Sequence, residues 1–358
     1  MSSPVRKSAL SKIQDEQDDA LTVNLVDDGD LRIHVTRKKH LRTSDLPIVT
    51  QQTFLVSSAV MRIASPVWRI MFDPQGHFME SQRSLTHGDV DFPEDDPDAL
   101  LCILRIAHLQ FRKIPETLDY AKLLNLAIIC DKYDTVALVR PWVAKWEEQT
   151  KALAWNTGCE GYLFIAWTFG DSPTYEKLAK PLVYDSTSDK AGRLLNCSGN
   201  LIGDNFPPAA FDTILTARRT TIAALFDACY KLVDSYLSDQ LVCQHVEHWG
   251  SYHLVPECVR KECDTLVFGS LVKGMKGLGI WPTILTSGDY HGSISELMKG
   301  LRSLPCFMLA AKNQSSRAHT CCSFMPRLDL EIKRIEESIM PSGVDDSHRE
   351  HMRQQAQK

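Results

Sequence analysis

Residues 54–80 read FLVSSAVMRIASPVWRIMFDPQGHFME, and this stretch decides the fold. Phe54 and Val56 alternate as on one face of a strand, whereas Val60, Met61 and Ala64 recur at helical spacing. That change of period marks a strand-to-helix junction. Ser65 suits an N-cap, and Pro66 the first helical position, where proline's missing N–H leaves nothing unsatisfied. Val67, Ile70 and Met71 give the next helix its apolar stripe, and Pro74 and Gly76 end it. On the N-terminal side, Asp27-Asp28-Gly29-Asp30 is a turn signal; Leu31, Ile33 and Val35 alternate with Arg32 and His34 as a half-buried strand. Ile48 to Val56 supplies the second strand of a hairpin. The basic run Arg37-Lys38-Lys39-His40 between them reads as a solvated turn, with nuclear localisation or an anion patch as the sharper alternative.

On the C-terminal side, Val90 to Phe92 is a short third strand stopped by Pro93. Asp96 caps a helix that opens on Pro97 and carries Leu100, Leu101, Leu104 and Ala107 on one face. Asp95 and Asp96 read as helix-start residues and not as an acid/base pair, because no catalytic partner lies nearby. Tyr120 to Tyr133 is a strong helix. Val136 to Gln149 is another, in which Pro141 predicts a kink or two short helices, and Trp142 and Trp146 share a face. Strands followed by helices give an α+β domain, a small sheet capped by a helical cluster.

The order Phe54, Ser57-Ser58, Met61 and Ser65-Pro66-Val67-Trp68 resembles the second strand and first helices of BTB/POZ domains, where F-x-x-H-x-x-x-L-x-x-x-S-x-x-F recurs. VSSAVMRIASPVWRIMF, DFPEDDPDALLCILRIAH and LAIICDKYD are similar to the branch abundant in filamentous fungi. The resemblance covers roughly residues 20–150, and CDTLVFGSLVKGMKGLGIWP is similar to the C-terminal half of the same proteins. It implies a protein-interaction domain: many members self-associate, some hold substrates on cullin-type ubiquitin ligases, and others recruit transcriptional co-repressors. Phe78-Met79-Glu80 matches, in kind and position, the hydrophobic-x-Glu motif of cullin-binding members, an apolar anchor with one charge for register. A helix-end packing residue beside a solvated glutamate is the alternative. Asp30 matches the aspartate of a charged pocket found in many animal members. Ser57 and Ser58 stand where its His and basic partner would be, which leaves Asp30 without that partner.

The chain's 358 residues allow two domains, and 44% hydrophobic with 24% charged residues is ordinary for globular proteins. The expected organisation is a flexible tail over 1–20, the BTB/POZ-like domain over 21–150, and a mostly helical domain over 151–340. Its helices are predicted at Gly161 to Phe169, Tyr175 to Tyr184, Pro207-Pro208 to Leu237, Leu266 to Leu278 and Ile294 to Leu301. The Ser-, Asp-, Gly- and Asn-rich 185–204 reads as a long loop or insert, and polar 341–358 as a disordered tail. A net charge of −5 argues against nucleic-acid binding. No apolar run follows Met1 and no window reaches the ~20 apolar residues of a membrane helix. The 11 cysteines are then expected to be reduced, in the nucleus or cytoplasm and not in a secreted protein.

Gly274, Gly277 and Gly279 have the wrong order, and no preceding strand, for a dinucleotide fingerprint. The Cys/His set is the remaining chemistry. Cys243, His245, His248, Cys258 and Cys263 are zinc-type donors, with His319, Cys321 and Cys322 far downstream. They lack C-x₂₋₄-C spacing, so a structural zinc and a set of buried thiols both stay open, and no other cofactor is expected. The sequence therefore points to a non-catalytic interaction module whose partners are proteins: a second copy, or a cullin if it is a ligase adaptor. A transcription or chromatin regulator is the alternative.

Overall fold

The 54–72 junction folds at the residues its spacing marks. In a computed structural model, described for residues 22–39, 48–76, 88–203, 205–248, 252–310, 319–338 and 344–358, the chain divides into two compact units, Met1–Ser172 with Arg349–Lys358, and Pro173–His348. No helix among the described residues is long and apolar enough to cross a membrane.

The first unit is built on a small sheet of β1 (Thr22–Asn24), β2 (Leu31–Lys39), β3 (Ile48–Val56) and β4 (Asp89–Phe92), in the order β1-β3-β2-β4. β2 and β3 are antiparallel, with Leu31 opposite Val56 and Lys39 opposite Ile48, while β4 runs parallel to β2 and β1 parallel to β3. Leu31, Ile33, Val35, Phe54 and Val56 are buried, so the alternation is the core face. A parallel neighbour needs a crossover, and the stretch from β3 to β4 contains α1 (Ser58–Ala64) and α2 (Pro66–Met71). The helices α3 (Pro97–Ala107), α4 (Tyr120–Tyr133), α5 (Val136–Thr150) and α6 (Tyr162–Phe169) follow in the same unit.

Ser65 fastens this layer. Its Oγ accepts from the Trp68 amide at 3.0 Å and donates to the Tyr133 carbonyl at 2.5 Å. The buried Trp68 ring lies 5.0 Å from that of Tyr133, which also stacks on Phe92 at 5.5 Å. The Tyr133 hydroxyl and the Lys132 ammonium each donate to Asp95 at 2.5 Å. Asp96 accepts from the Ala99 amide at 2.8 Å as an N-cap. Asp95 is thus a buried anchor of the core, and Asp96 a cap.

Several expectations are corrected. Arg37 to Lys39 belong to β2 and not to a turn, and the Arg37 guanidinium pairs with Asp98 at 2.6 Å. Pro141 lies inside the single helix α5, whose buried Val136, Val139, Val143 and Trp146 hold it together across the lost backbone bond. Residues 151–172 join the first unit, where Tyr162 stacks on Tyr120 at 6.3 Å. The polar C-terminus forms α12 (Asp346–Ala356) where a disordered tail was expected. Met352 is fully buried, His351 stacks on Trp167 at 3.8 Å, and Arg140 donates to the Phe169 and Gln355 carbonyls. Gly170, at φ +79°, lets α12 in: a Cβ there would meet the Met352 oxygen and Ala356 nitrogen at 2.6 Å. The expected 1–20 tail lies outside the described residues.

The second unit holds most of α7 (Ser172–Tyr184), then α8 (Ala210–Leu237), α9 (Glu257–Gly277), α10 (Ile294–Arg302) and α11 (Met325–Ser338). Ile214, Ile222, Leu225, Phe226 and Val233 of α8 are buried, and α8 packs against α9, α10 and α11. The 185–204 stretch is not a plain loop: β5 (Thr187–Ser188) and β6 (Leu194–Leu195) pair as a hairpin with Leu194 buried. Arg218, buried on α8, donates to the Ser186 carbonyl and to that of Gly292 at 2.7 Å. A second hairpin pairs β7 (Val246–His248) with β8 (Tyr252–Leu254). α9 starts nine residues earlier than the spacing predicts, at Glu257 instead of Leu266.

Candidate metal centre

Three segments of the second unit converge on one buried point. The first is the extended run after α8 that carries Cys243, and α9 fixes it in place. The Asp264 carboxylate accepts from the Val242 and Cys243 amides, each at 2.8 Å, and Arg260 Nε donates to the Cys243 carbonyl at 2.7 Å. Cys263 lies beside Asp264 and one turn on from Arg260, so these three share a side of α9. The third segment is a 3₁₀ turn, Thr320–Cys322, capped by His319, with the Cys322 amide donating to the His319 carbonyl at 2.9 Å. In such a turn residues i and i+3 come into line, which brings His319 and Cys322 to the same side.

The donor atoms of Cys243, Cys263, His319 and Cys322 all lie within 4.8 Å of one another. Cys243 Sγ is 3.5 Å from His319 Nδ1 and 3.5 Å from Cys322 Sγ. With Zn–S near 2.3 Å and Zn–N near 2.0–2.1 Å, a tetrahedral zinc site has S···S edges of about 3.8 Å and S···N edges of about 3.5 Å. The Cys243–His319 edge matches that figure, the Cys243–Cys322 edge is about 0.3 Å shorter, and every other edge is at most 4.8 Å. Cys243 and Cys263 are 0% exposed and His319 3%.

Burial pushes the Cys263 thiol up to about 11, and Cys243 beside it acts in the same direction. Burial and the neighbouring thiols push Cys322 higher still. Left to themselves these thiols stay protonated; a bound dication reverses that, since a coordinating thiol is deprotonated. The Leu309 amide donates to Cys263, and the Leu309 carbonyl accepts from the His319 amide at 3.0 Å, so the same residue braces two of the four donors. His245 flanks the cluster, its ring stacked on His319 at 4.0 Å and its Nδ1 3.3 Å from Cys321 Sγ.

Of the donors set out from the sequence, the structure brings Cys243 and Cys263 together with His319 and Cys322 from the downstream trio, and leaves Cys258, His245 and Cys321 out of the four. Cys258 is exposed on α9; five residues from Cys263 is about 140° around a helix, which turns it away. His245 packs alongside without joining the four. His248 lies on β7, and its side chain is outside the described residues. Within the downstream trio, the H-x-x-C spacing of His319 and Cys322 is the signal that one tight turn brings both to the same side.

In the first unit, Asp30 does have a partner. Its carboxylate accepts from the Ser58 amide at 2.7 Å and the Ser58 hydroxyl at 2.5 Å, capping α1 from a separate turn. Burial opposes its charge, but these bonds outweigh that and hold the carboxyl below the usual range. The Ser57 side chain makes no cap; its amide donates to His108 Nε2 at 3.1 Å, and His108 Nδ1 lies 2.8 Å from the Leu104 carbonyl. The neutral Nδ1–H tautomer satisfies both contacts. His108, from the end of α3, was not anticipated. Phe78, Met79 and Glu80 lie outside the described residues.

No protein-family model matches the chain, and no curated protein is significantly similar to it.

Proposed function

We propose that the chain is a non-catalytic protein–protein interaction scaffold whose first unit is a BTB/POZ-type docking domain. The observation that carries this reading is the order of elements around β2: a hairpin with β3, the helix pair α1–α2 broken at Ser65-Pro66, and a return strand β4 parallel to β2. The sequence resemblance is carried by the β3, α1 and α2 part of that order. The helix pair also leaves Ile63 and Ile70 exposed, at 88% and 58%, and these are the side chains this reading offers to a partner. Phe78-Met79-Glu80 follows α2 in sequence and is the proposed cullin contact of a ligase adaptor.

The test is purification of the tagged protein from its own cells as wild type, Glu80→Lys and the double variant Ile63→Asp/Ile70→Asp, with light scattering for mass. A cullin that co-purifies with wild type and is lost with Glu80→Lys supports the adaptor. A dimer that the isoleucine variant splits supports self-association through the helix pair. A monomer that carries no cullin sinks the proposal.

A further inference from the structure

The geometry points to a zinc ion held by Cys243, Cys263, His319 and Cys322, acting as a structural clasp for the second unit. This stands apart from the proposed docking role. Three thiolates and an imidazole are the donor set of closed tetrahedral zinc sites, whereas magnesium and calcium prefer oxygen. All four positions are filled by protein, so no place remains for a reacting water, and the centre is structural in kind.

The surroundings fit the bound form. Loading one Zn²⁺ displaces three thiol protons to solvent and leaves a Zn(Cys)₃His centre of net charge −1, with no change of oxidation state. The Arg260 guanidinium, bonded to the Cys243 carbonyl at 2.7 Å, places a cation next to that charge. The Leu309 amide aims at the Cys263 sulfur, the outer bond that orients a thiolate ligand. Asp264 fixes the Cys243 backbone through two 2.8 Å bonds, so the donor is set before the ion arrives.

The described part of the segment between α10 and α11 also needs a clasp. Residues 304–310 form neither helix nor strand, and the only regular element before α11 among the described residues is the 3₁₀ turn. The clasp ties this segment to α9 and to the run after α8, joining donors far apart in sequence.

The full-length protein, purified under reducing conditions with a tag that binds no metal, is assayed by native mass spectrometry and elemental analysis. The expected result is one zinc per chain, retained by Cys258→Ser and reduced at least tenfold by Cys263→Ser or Cys322→Ser. Cys322→His, which keeps a donor in place, restores it. Because a ligand variant can fail to fold, wild type is also exchanged with cobalt, which should give the intense visible bands of a tetrahedral thiolate site. Chelation of wild type should open 303–310 and 319–324 to proteolysis before α8. Protein that contains no zinc and takes up neither zinc nor cobalt overturns the proposal. So does zinc that survives both serine variants, iron in place of zinc, or a Cys243–Cys322 disulfide in freshly purified protein.

Discussion

Ser65 and Ser57 both precede a helix, and only one of them does a cap's work. Ser65 Oγ accepts from the Trp68 amide and donates to the Tyr133 carbonyl in a buried position. Ser65→Ala removes an N-cap, about 1 kcal/mol, and takes the hydroxyl from a buried carbonyl, about 1–2 kcal/mol more. The sum is roughly 2–3 kcal/mol, or about 4–12 °C in the melting of a unit this size at 2–4 °C per kcal/mol. Ser57→Ala should cost less than about 0.5 kcal/mol, the range of substitutions that remove no specific contact, because Asp30 caps α1 through Ser58 and the Ser57 side chain caps nothing. Calorimetry of the full chain, with hydrogen exchange of the 66–72 and 120–133 peptides, reads both variants. Ser65→Ala should loosen both peptides together, since its hydroxyl joins them. Equal losses in the two variants, or loosening of only one peptide in Ser65→Ala, would refute the reasoning.

Tyr133→Phe keeps the ring contacts but takes a donor from the buried Asp95 carboxylate; a loss of roughly 1.5–3 kcal/mol is expected, checked by urea unfolding, and no loss would mean that Lys132 alone satisfies Asp95. Burial holds His108 below its ordinary 6.5 despite its bond to the Leu104 carbonyl. Its neutral form therefore adds stability that is fully present above that ordinary value and lost as pH falls through the lowered one. Melting between pH 7.5 and 5 should drop more steeply in wild type than in His108→Gln, and parallel curves would dismiss the group. Met352→Ala should cost about 2–3 kcal/mol at a fully buried site and show as fast exchange confined to 346–356; unchanged protection there would count against the docking of α12. Asp264→Asn keeps one acceptor of two for the Val242 and Cys243 amides. A fall of about 10–100-fold in zinc affinity is expected by competition titration, and unchanged affinity would remove Asp264 from the support of the centre.

What was legible in the sequence was local. β3 ends at Val56, α2 opens at Pro66 behind its Ser65 cap, and α4 runs from Tyr120 to Tyr133, each where alternation or a cap residue marks it. What was illegible depended on distant partners. DSHREHMRQQA carries one large apolar residue, and its helix is held by the Trp167 ring, the Arg140 guanidinium and the space at Gly170, none visible in its own composition. The start of α9 was hidden for a related reason. Only Cys263 is buried before Val267, so its first turns show no apolar stripe. Pro141 signalled a break that burial of the surrounding valines and Trp146 overrode.

The metal donors show the same limit from the side of chemistry. Cys243 and His245, two apart in an extended run, reach the same side, yet His245 only stacks on His319 while Cys243 joins the four, because a tetrahedron is closed by whatever the fold brings to its corners. α9 turns Cys263 inward and Cys258 outward, and the 3₁₀ turn aligns His319 with Cys322. A local pair such as H-x-x-C is readable in advance, since one turn sets its geometry. Its union with Cys243 and Cys263 is a tertiary fact. The first unit needs no such union around Ser65, where a hydroxyl, three rings and a carboxylate join α2, α4 and the strand end at Phe92. The second unit lacks a comparable polar knot between residues 304 and 322 among its described residues, and the four converging donors are the feature there able to supply one.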